Sequence, residues 1–164
     1  MAKNKISTKR ICVCGMLIAA AFVLSFVERF IPIDVAIYGF KLGFANIVVV
    51  FALYKLSLAD AAFICFLKIL LSGLLFGGPI YLMYSFCGGV LSFIVMLMLK
   101  NKLNIITVSA LGSVFFNIGQ ITFACFNFAS FGVLTYLPVL IVTGVFTGVL
   151  IGVISNIAIN RIKI

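Results

Sequence analysis

Long apolar runs, separated by short polar breaks, fill almost the whole chain. Each run is close to the roughly twenty residues that a helix needs to cross the hydrocarbon core of a bilayer. Apolar and polar residues do not alternate as they do in the strands of a membrane β-barrel, so the runs predict helices. Six spans are predicted, at residues 11–27, 40–56, 59–76, 80–99, 105–128 and 136–158.

Composition and charge place these helices in a membrane. The chain is 65% hydrophobic and 9% charged, and a soluble domain of this size needs far more polar surface. No Ser-, Pro- or charge-rich linker interrupts it, so residues 1–164 are predicted to form a single membrane domain. The net charge is +9, but the basic residues lie at the ends of apolar runs, which is typical of topology signals and not of a nucleic-acid-binding face.

The basic residues also predict an orientation. With six spans, nearly all of them fall on one side of the membrane, which the positive-inside rule assigns to the cytoplasm together with both termini. Only Arg29 and Lys41 are placed outside, each near an acid. The cytoplasmic set is Lys3, Lys5, Lys9, Arg10, Lys55, Lys100, Lys102, Arg161 and Lys163.

The first span leaves two questions open. Its basic start and the three alanines at 19–21 resemble a cleaved signal peptide, but the apolar run continues to Val27, which favours a retained helix. Gly15 and Ala19 form a pair of small residues four apart, a spacing that lets another helix approach closely. That pair serves either packing inside the bundle or docking of a partner helix.

Lys68 is predicted to lie in the middle of the third span, too deep for its ammonium to reach water. A lysine at this depth is a candidate functional residue. One interpretation is an internal ion pair with Glu28 or Asp60. The other is contact with a ligand that carries an anionic group or a carbonyl.

The fifth span carries two amides, Asn117 and Gln120, within one polar stripe. An amide in hydrocarbon must find hydrogen-bond partners, so the pair indicates either a network between helices or a ligand. On the sixth span Gly144, Gly148 and Gly152 repeat every four residues, which predicts a packing groove.

Residues 28–46 hold two of the chain's three acids with an arginine and a lysine. Such a cluster beside a span is either an interfacial anchor or part of a site, and we treat it as a candidate lid and rim. The five cysteines are scattered and histidine is absent, so neither a disulfide framework nor a metal site is expected. Cys12 and Cys14 lack the second pair that a metal site needs. No cofactor is predicted.

Six motifs occur in order along almost the whole chain: ERFIP, KLGFANIV, LKILLSGLLFG, YSFCGG, FNIGQ and YLP. Together they resemble the Gx transporter family, which is also labelled heptaprenyl diphosphate synthase component I. That family in turn resembles the substrate-binding S components of energy-coupling factor (ECF) transporters. S components are six-helix bundles that bind a vitamin-like molecule near the outer face. They work with a membrane coupling protein and two cytoplasmic ATPases.

The resemblance implies an all-α bundle of six transmembrane helices in the bacterial plasma membrane. It implies import of a small vitamin-like molecule or a quinone, flavin or isoprenoid precursor. The substrate-binding residues it implies are Glu28, Arg29, Lys41, Asn46, Lys68, Tyr84, Ser85, Asn117 and Gln120, and the shared glycines are Gly43, Gly73, Gly88, Gly89 and Gly119. Gly15 and Ala19 would face the coupling protein. Relatives often have a histidine where this chain has Phe116, so any role of that histidine is lost here.

Catalysis is not expected of this chain. Prenyl chain elongation needs clustered aspartates to hold magnesium against a diphosphate, and Asp34 and Asp60 are separated by a whole span. A phosphate-binding GxxxxGK[ST] loop is also missing, so any energy for uptake comes from a partner. The alternative function is a non-catalytic scaffold or lipid-binding accessory subunit of a heptaprenyl diphosphate synthase. An ion channel is less favoured, because no ring of charges marks a pore.

Overall fold

A computed structural model describes residues 8–28, 30, 43–76, 78–128 and 131–162. This part of the chain is helical and contains no strand, and five of its helices are long and apolar enough to cross a membrane. The prediction of an all-α, six-helix membrane bundle is therefore confirmed. The helices are α1 (Thr8–Glu28), α2 (Asn46–Lys55), α3 (Leu58–Phe76), α4 (Gly78–Leu99), α5 (Ile105–Phe128) and α6 (Leu137–Arg161), with a 3-10 helix at Phe131–Tyr136 before α6.

The second helix is much shorter than the other five. It begins at Asn46 and not near residue 40, because Gly43 has a φ of 82° and residues 44–45 form a turn; residues 40–42 lie outside the described part. Its 10 residues rise about 15 Å, half of the roughly 30 Å hydrocarbon core. Because α2 ends at the polar turn into α3, a helix of this length reaches only about half-way across such a core, and backbone polar groups at that depth need protein partners.

The core is built around α2, which is buried along nearly its whole length. It packs against α1, α3 and α6, and its three valines and its single leucine belong to the same apolar cluster as Ile64 and Ile69 of α3 and Ile151 of α6. A helix that is hydrophobic on nearly all sides is expected to be enclosed by its neighbours in this way.

The glycine repeat of α6 lies directly on α5. A Cβ placed on Gly148 would lie 2.6 Å from the Cα of Ala110, and one on Gly152 would lie 2.7 Å from the Cα of Ile106. Both distances are shorter than side chains tolerate, so only glycine allows the two backbones to come this close. The packing interpretation of the repeat is confirmed.

The first helix lies at the edge of the bundle. Ala21 is its only buried residue, whereas Gly15 and Ala19 are exposed, with no atom within 4 Å of a Cβ placed on Gly15. Near its start, Arg10 Nε donates to Asp60 Oδ2 at 2.6 Å and Arg10 Nη2 donates to Ser57 Oγ at 2.5 Å. This contact, which we call the α1–α3 clasp (Arg10, Ser57, Asp60), joins the two helices at one end. It also makes Arg10, and not Lys68, the partner of Asp60.

Candidate functional site

The candidate site is centred on Lys68, in the middle of α3. Its ammonium donates to Asn46 Oδ1 at 2.5 Å and lies 5.8 Å from the centre of the Phe116 ring on α5. The side chain is 7% exposed. Sequence reasoning offered Glu28 or Asp60 as a direct ion-pair partner, but the acceptor is a neutral amide on the first residue of α2.

The carboxylate of Glu28 stabilises the start of α2. Its Oε1 accepts the Gly43 N–H at 2.6 Å and its Oε2 accepts the Phe44 N–H at 3.1 Å. These backbone groups come just before the helix and have no partner within it, and a negative charge at a helix N-terminus is favourable. Glu28 therefore places a negative charge at the start of α2, the helix whose first residue accepts a hydrogen bond from Lys68.

Phe116 connects this polar group to α4. A Cβ placed on Gly43 would lie 3.9 Å from the Phe116 ring, and one on Gly88 would lie 2.7 Å from the Phe116 carbonyl oxygen. The same Cβ on Gly88 would lie 3.0 Å from Cγ of Gln120. Contacts therefore run without a break from Glu28 through Phe116 to Gln120. We call the set Glu28, Gly43, Asn46, Lys68, Phe116, Gly88 and Gln120 the polar cluster.

The two amides of α5 have different surroundings. Asn117 Nδ2 donates to the Leu140 carbonyl on α6 at 2.7 Å, and Gly144 leaves room for it. Gln120 is 0% exposed, and neither its nitrogen nor its oxygen has a hydrogen-bond partner among the described residues. Asn117 thus ties α5 to α6, whereas the Gln120 amide is buried without any such tie.

The α4 residues singled out by sequence are buried, and Tyr84 and Gly89 pack against α5 and α3, respectively. Tyr84 is buried and meets Phe123 edge-on, with ring centres 5.0 Å apart. Ser85 is buried one residue further along. Gly89 faces Ile69 of α3, which would lie 2.6 Å from an added Cβ. These contacts hold α3, α4 and α5 together around the polar cluster.

A family model described as heptaprenyl diphosphate synthase component I matches residues 17–158. The chain belongs to this family. The match takes in the whole polar cluster and confirms the family predicted from the ordered motifs. The family's description refers to one component of a synthase, which implies a partner component. No curated protein and no solved structure shows significant similarity to the chain.

Within this family member, the structure brings together only part of the predicted site. Glu28, Asn46, Lys68 and Gln120 belong to the polar cluster; Asn117 points away from it to α6, and Arg29 and Lys41 lie outside the described residues. Gly15 and Ala19 are on the outward side of α1, apart from the cluster. The described residues contain no group of three or more His, Cys, Asp or Glu side chains placed to hold a metal ion.

Two features were missed from the sequence. The contact of Phe116 with Lys68 carries no local signal, because it depends on how α3 and α5 pack. The α1–α3 clasp had a partial signal: Ser57 and Asp60 have the spacing of a capping pair, and the Asp60 N–H donates to Ser57 Oγ at 3.3 Å. The sequence around Ser57 and Asp60 does not predict that Arg10 contacts them.

Proposed function

We propose that this chain is the substrate-binding subunit of an ECF-type transporter. It imports a small vitamin-like molecule or a quinone, flavin or isoprenoid precursor, and works with a membrane coupling protein and cytoplasmic ATPases. It resides in the bacterial plasma membrane with both termini in the cytoplasm. The observation that carries the proposal is the buried ammonium of Lys68, whose hydrogen-bond partner among the described residues is one neutral amide.

A charged group at this depth is expensive to keep, which makes a purely structural role costly. Placing a lysine at the centre of a membrane helix costs about 2.5–3.5 kcal/mol. Its ammonium has three donors, and Asn46 Oδ1 takes one of them. An anionic or carbonyl oxygen of a ligand would take another and offset the cost of burying the charge.

The position of the cluster suits capture from outside. In the proposed orientation Glu28 and Asn46 mark the outer end of α1 and the mid-membrane start of α2. Residues 28–46 connect them, and the proposal gives this segment, most of which lies outside the described residues, the role of lid and rim. Irregular backbone at membrane depth occurs where it is buried in protein or lines a cavity, and broken helices form the substrate sites of many transporters.

The exposed side of α1 supports the second half of the proposal, docking to a coupling protein. Gly15 and Ala19 leave this side smooth, and α1 packs only lightly on the bundle. Close helix approach over small residues gains dispersion contacts that lipid does not supply. Reorientation of the bundle against a partner gripping this side would then release the substrate inward.

The test combines retained molecules with retained proteins. Gentle purification followed by mass spectrometry should find a small molecule with the wild-type chain and not with Lys68→Met. Ala19→Leu should lose the coupling protein and ATPases but keep the small molecule. Ala62→Leu, the same change at an exposed position of α3, is the matched control and should keep both. Unchanged assembly of Ala19→Leu would remove the docking part of the proposal.

The second candidate function is a non-catalytic scaffold or lipid-binding accessory subunit of a heptaprenyl diphosphate synthase. The family's description names a component of such a synthase. The same purification distinguishes the two, because a transporter subunit brings ATPases with it, whereas an accessory subunit brings a soluble prenyl synthase. A prenyl lipid as the retained molecule, with no ATPase present, would establish the second function.

A further inference from the structure

Gln120 and Asn117 share a helix and a functional group, yet among the described residues only Asn117 has a hydrogen-bond partner. We propose that Gln120 is the α5 residue that binds the ligand, and that it pairs with a group offering a donor and an acceptor side by side, such as a carboxamide, a lactam or an imide. The inference rests on the proposed substrate-binding function and narrows it to a substrate class and a specificity-determining residue.

The first argument is energetic. A buried polar group left without a partner costs roughly 1–3 kcal/mol, and at 0% exposure neither end of the Gln120 amide is paired within the part of the chain that the structure describes. A leucine at this position would avoid that cost, since aliphatic side chains ordinarily pack the interior of a membrane bundle. A glutamine that serves only packing is therefore the less stable choice, and binding accounts for its presence.

The second argument is position. Residues three apart on a helix point about 60° away from each other, so Asn117 meets α6 while Gln120 contacts Gly88 of α4. Gln120 is one turn, about 6 Å, beyond Phe116, whose ring lies under the Lys68 ammonium. Phe116 also lies near the start of α2, since a Cβ placed on Gly43 would lie 3.9 Å from its ring and 2.9 Å from the Asn46 amide nitrogen.

The chemistry of the two ends defines the ligand. Lys68 offers donors only, and therefore selects an oxygen acceptor. Gln120 offers one acceptor and two donors on a planar group, and therefore selects a planar edge that both donates and accepts. A site built to pair such an edge discriminates strongly against analogues that lack it, because its own polar atoms are then left unpaired.

The experiment uses matched amide-to-leucine changes in the full chain. The probe is the pool of cellular small molecules retained through gentle purification and quantified by mass spectrometry, and each stripped protein is also melted. Gln120→Leu should reduce the retained molecule about tenfold or more while raising the Tm of the stripped protein by roughly 2–12 °C. Asn117→Leu should keep the molecule and lower the Tm by roughly 2–4 °C.

The outcomes distinguish failure of the proposed role of Gln120 from failure of the proposed substrate-binding function. Retention by Gln120→Leu equal to wild type, with Lys68→Met empty, would overturn the role of Gln120 and leave the substrate-binding function standing. A fall in Tm together with loss of the molecule in Gln120→Leu would also overturn it, because the amide would then be structural. An empty wild-type protein, or full retention by Lys68→Met, would overturn the proposed function and this inference together.

Discussion

The contact between Lys68 and Asn46 gives the sharpest stability prediction. We consider three proteins: Asn46→Leu, Lys68→Met and the double variant. In the wild type the ammonium donates to Asn46 Oδ1 at 2.5 Å, with side chains 7% and 5% exposed. Each single change leaves the other polar group buried without its partner, whereas the double change removes both polar groups and puts apolar side chains of similar size in their place.

The two single changes differ in expected size. Asn46→Leu leaves a buried charge without its acceptor, which costs about 3–5 kcal/mol. Lys68→Met leaves only a neutral amide unpaired, at about 1–3 kcal/mol, and also removes the cost of burying the ammonium, so its net effect is roughly 0–2 kcal/mol. In the double variant neither cost remains, and Glu28 still accepts its two backbone N–H groups. We expect its stability to return to the wild-type value or above it.

Thermal unfolding followed by circular dichroism measures these differences, because the described chain is helical throughout. For a protein of this size, 1 kcal/mol moves the Tm by about 2–4 °C, so Asn46→Leu, at about 3–5 kcal/mol, should melt roughly 6–20 °C below wild type. Lys68→Met combined with Thr122→Val is the additive control, since the Thr122 hydroxyl bonds a carbonyl of its own helix. Additive losses in the Asn46–Lys68 pair, within about 0.5 kcal/mol, would refute the coupling.

Three further changes test the surrounding structure, each by the same melting measurement. Glu28→Ala leaves two backbone N–H groups unpaired, so it should lose about 2–6 kcal/mol, and Glu28→Gln should lose less because it keeps one acceptor; equal losses would contradict the helix-start role. Arg10→Ala breaks a partly exposed pair with Asp60 and should cost at most about 1 kcal/mol; a larger loss would mean that the clasp carries more of the α1 packing than its exposure indicates. Gly148→Val forces a side chain 2.6 Å from the α5 backbone and should cost about 1–3 kcal/mol or more, whereas Gly15→Val meets nothing within 4 Å and should stay within about 0.5 kcal/mol; equal melting of these two variants would contradict the packing of α6 on α5.

Much of the fold is predictable from sequence because the solvent is a bilayer. Hydrocarbon forces every backbone polar group to be satisfied within a helix, so run length and composition are enough to place α1, α3, α4, α5 and α6. The start of α2 is not predictable from run length and composition. Its apolar run extends further than its helix, because Gly43 adopts a positive φ and Glu28, from another helix, accepts the exposed N–H groups.

The candidate site is predictable only as a set of residue types. Lys68 stands out in sequence because a charge in the middle of an apolar run is costly in a membrane and usually marks a functional site. Its partner does not, since the local sequence contains no information about whether Asn46, Glu28 or Asp60 reaches it. That choice follows from α1 being joined to α3 through Arg10 and from α2 starting at Asn46, within hydrogen-bond distance of Lys68.

The sequence by itself determined a basic, helical membrane protein of a recognisable family, with a buried lysine and two amides on one stripe of α5. The tertiary structure alone decided that Asn117 is tied to α6 and that Gln120, about 60° around the helix, meets α4 without a hydrogen-bond partner among the described residues. The physical reason is that helical periodicity fixes which residues share a face. Which neighbour that face meets depends on packing between helices far apart in the chain.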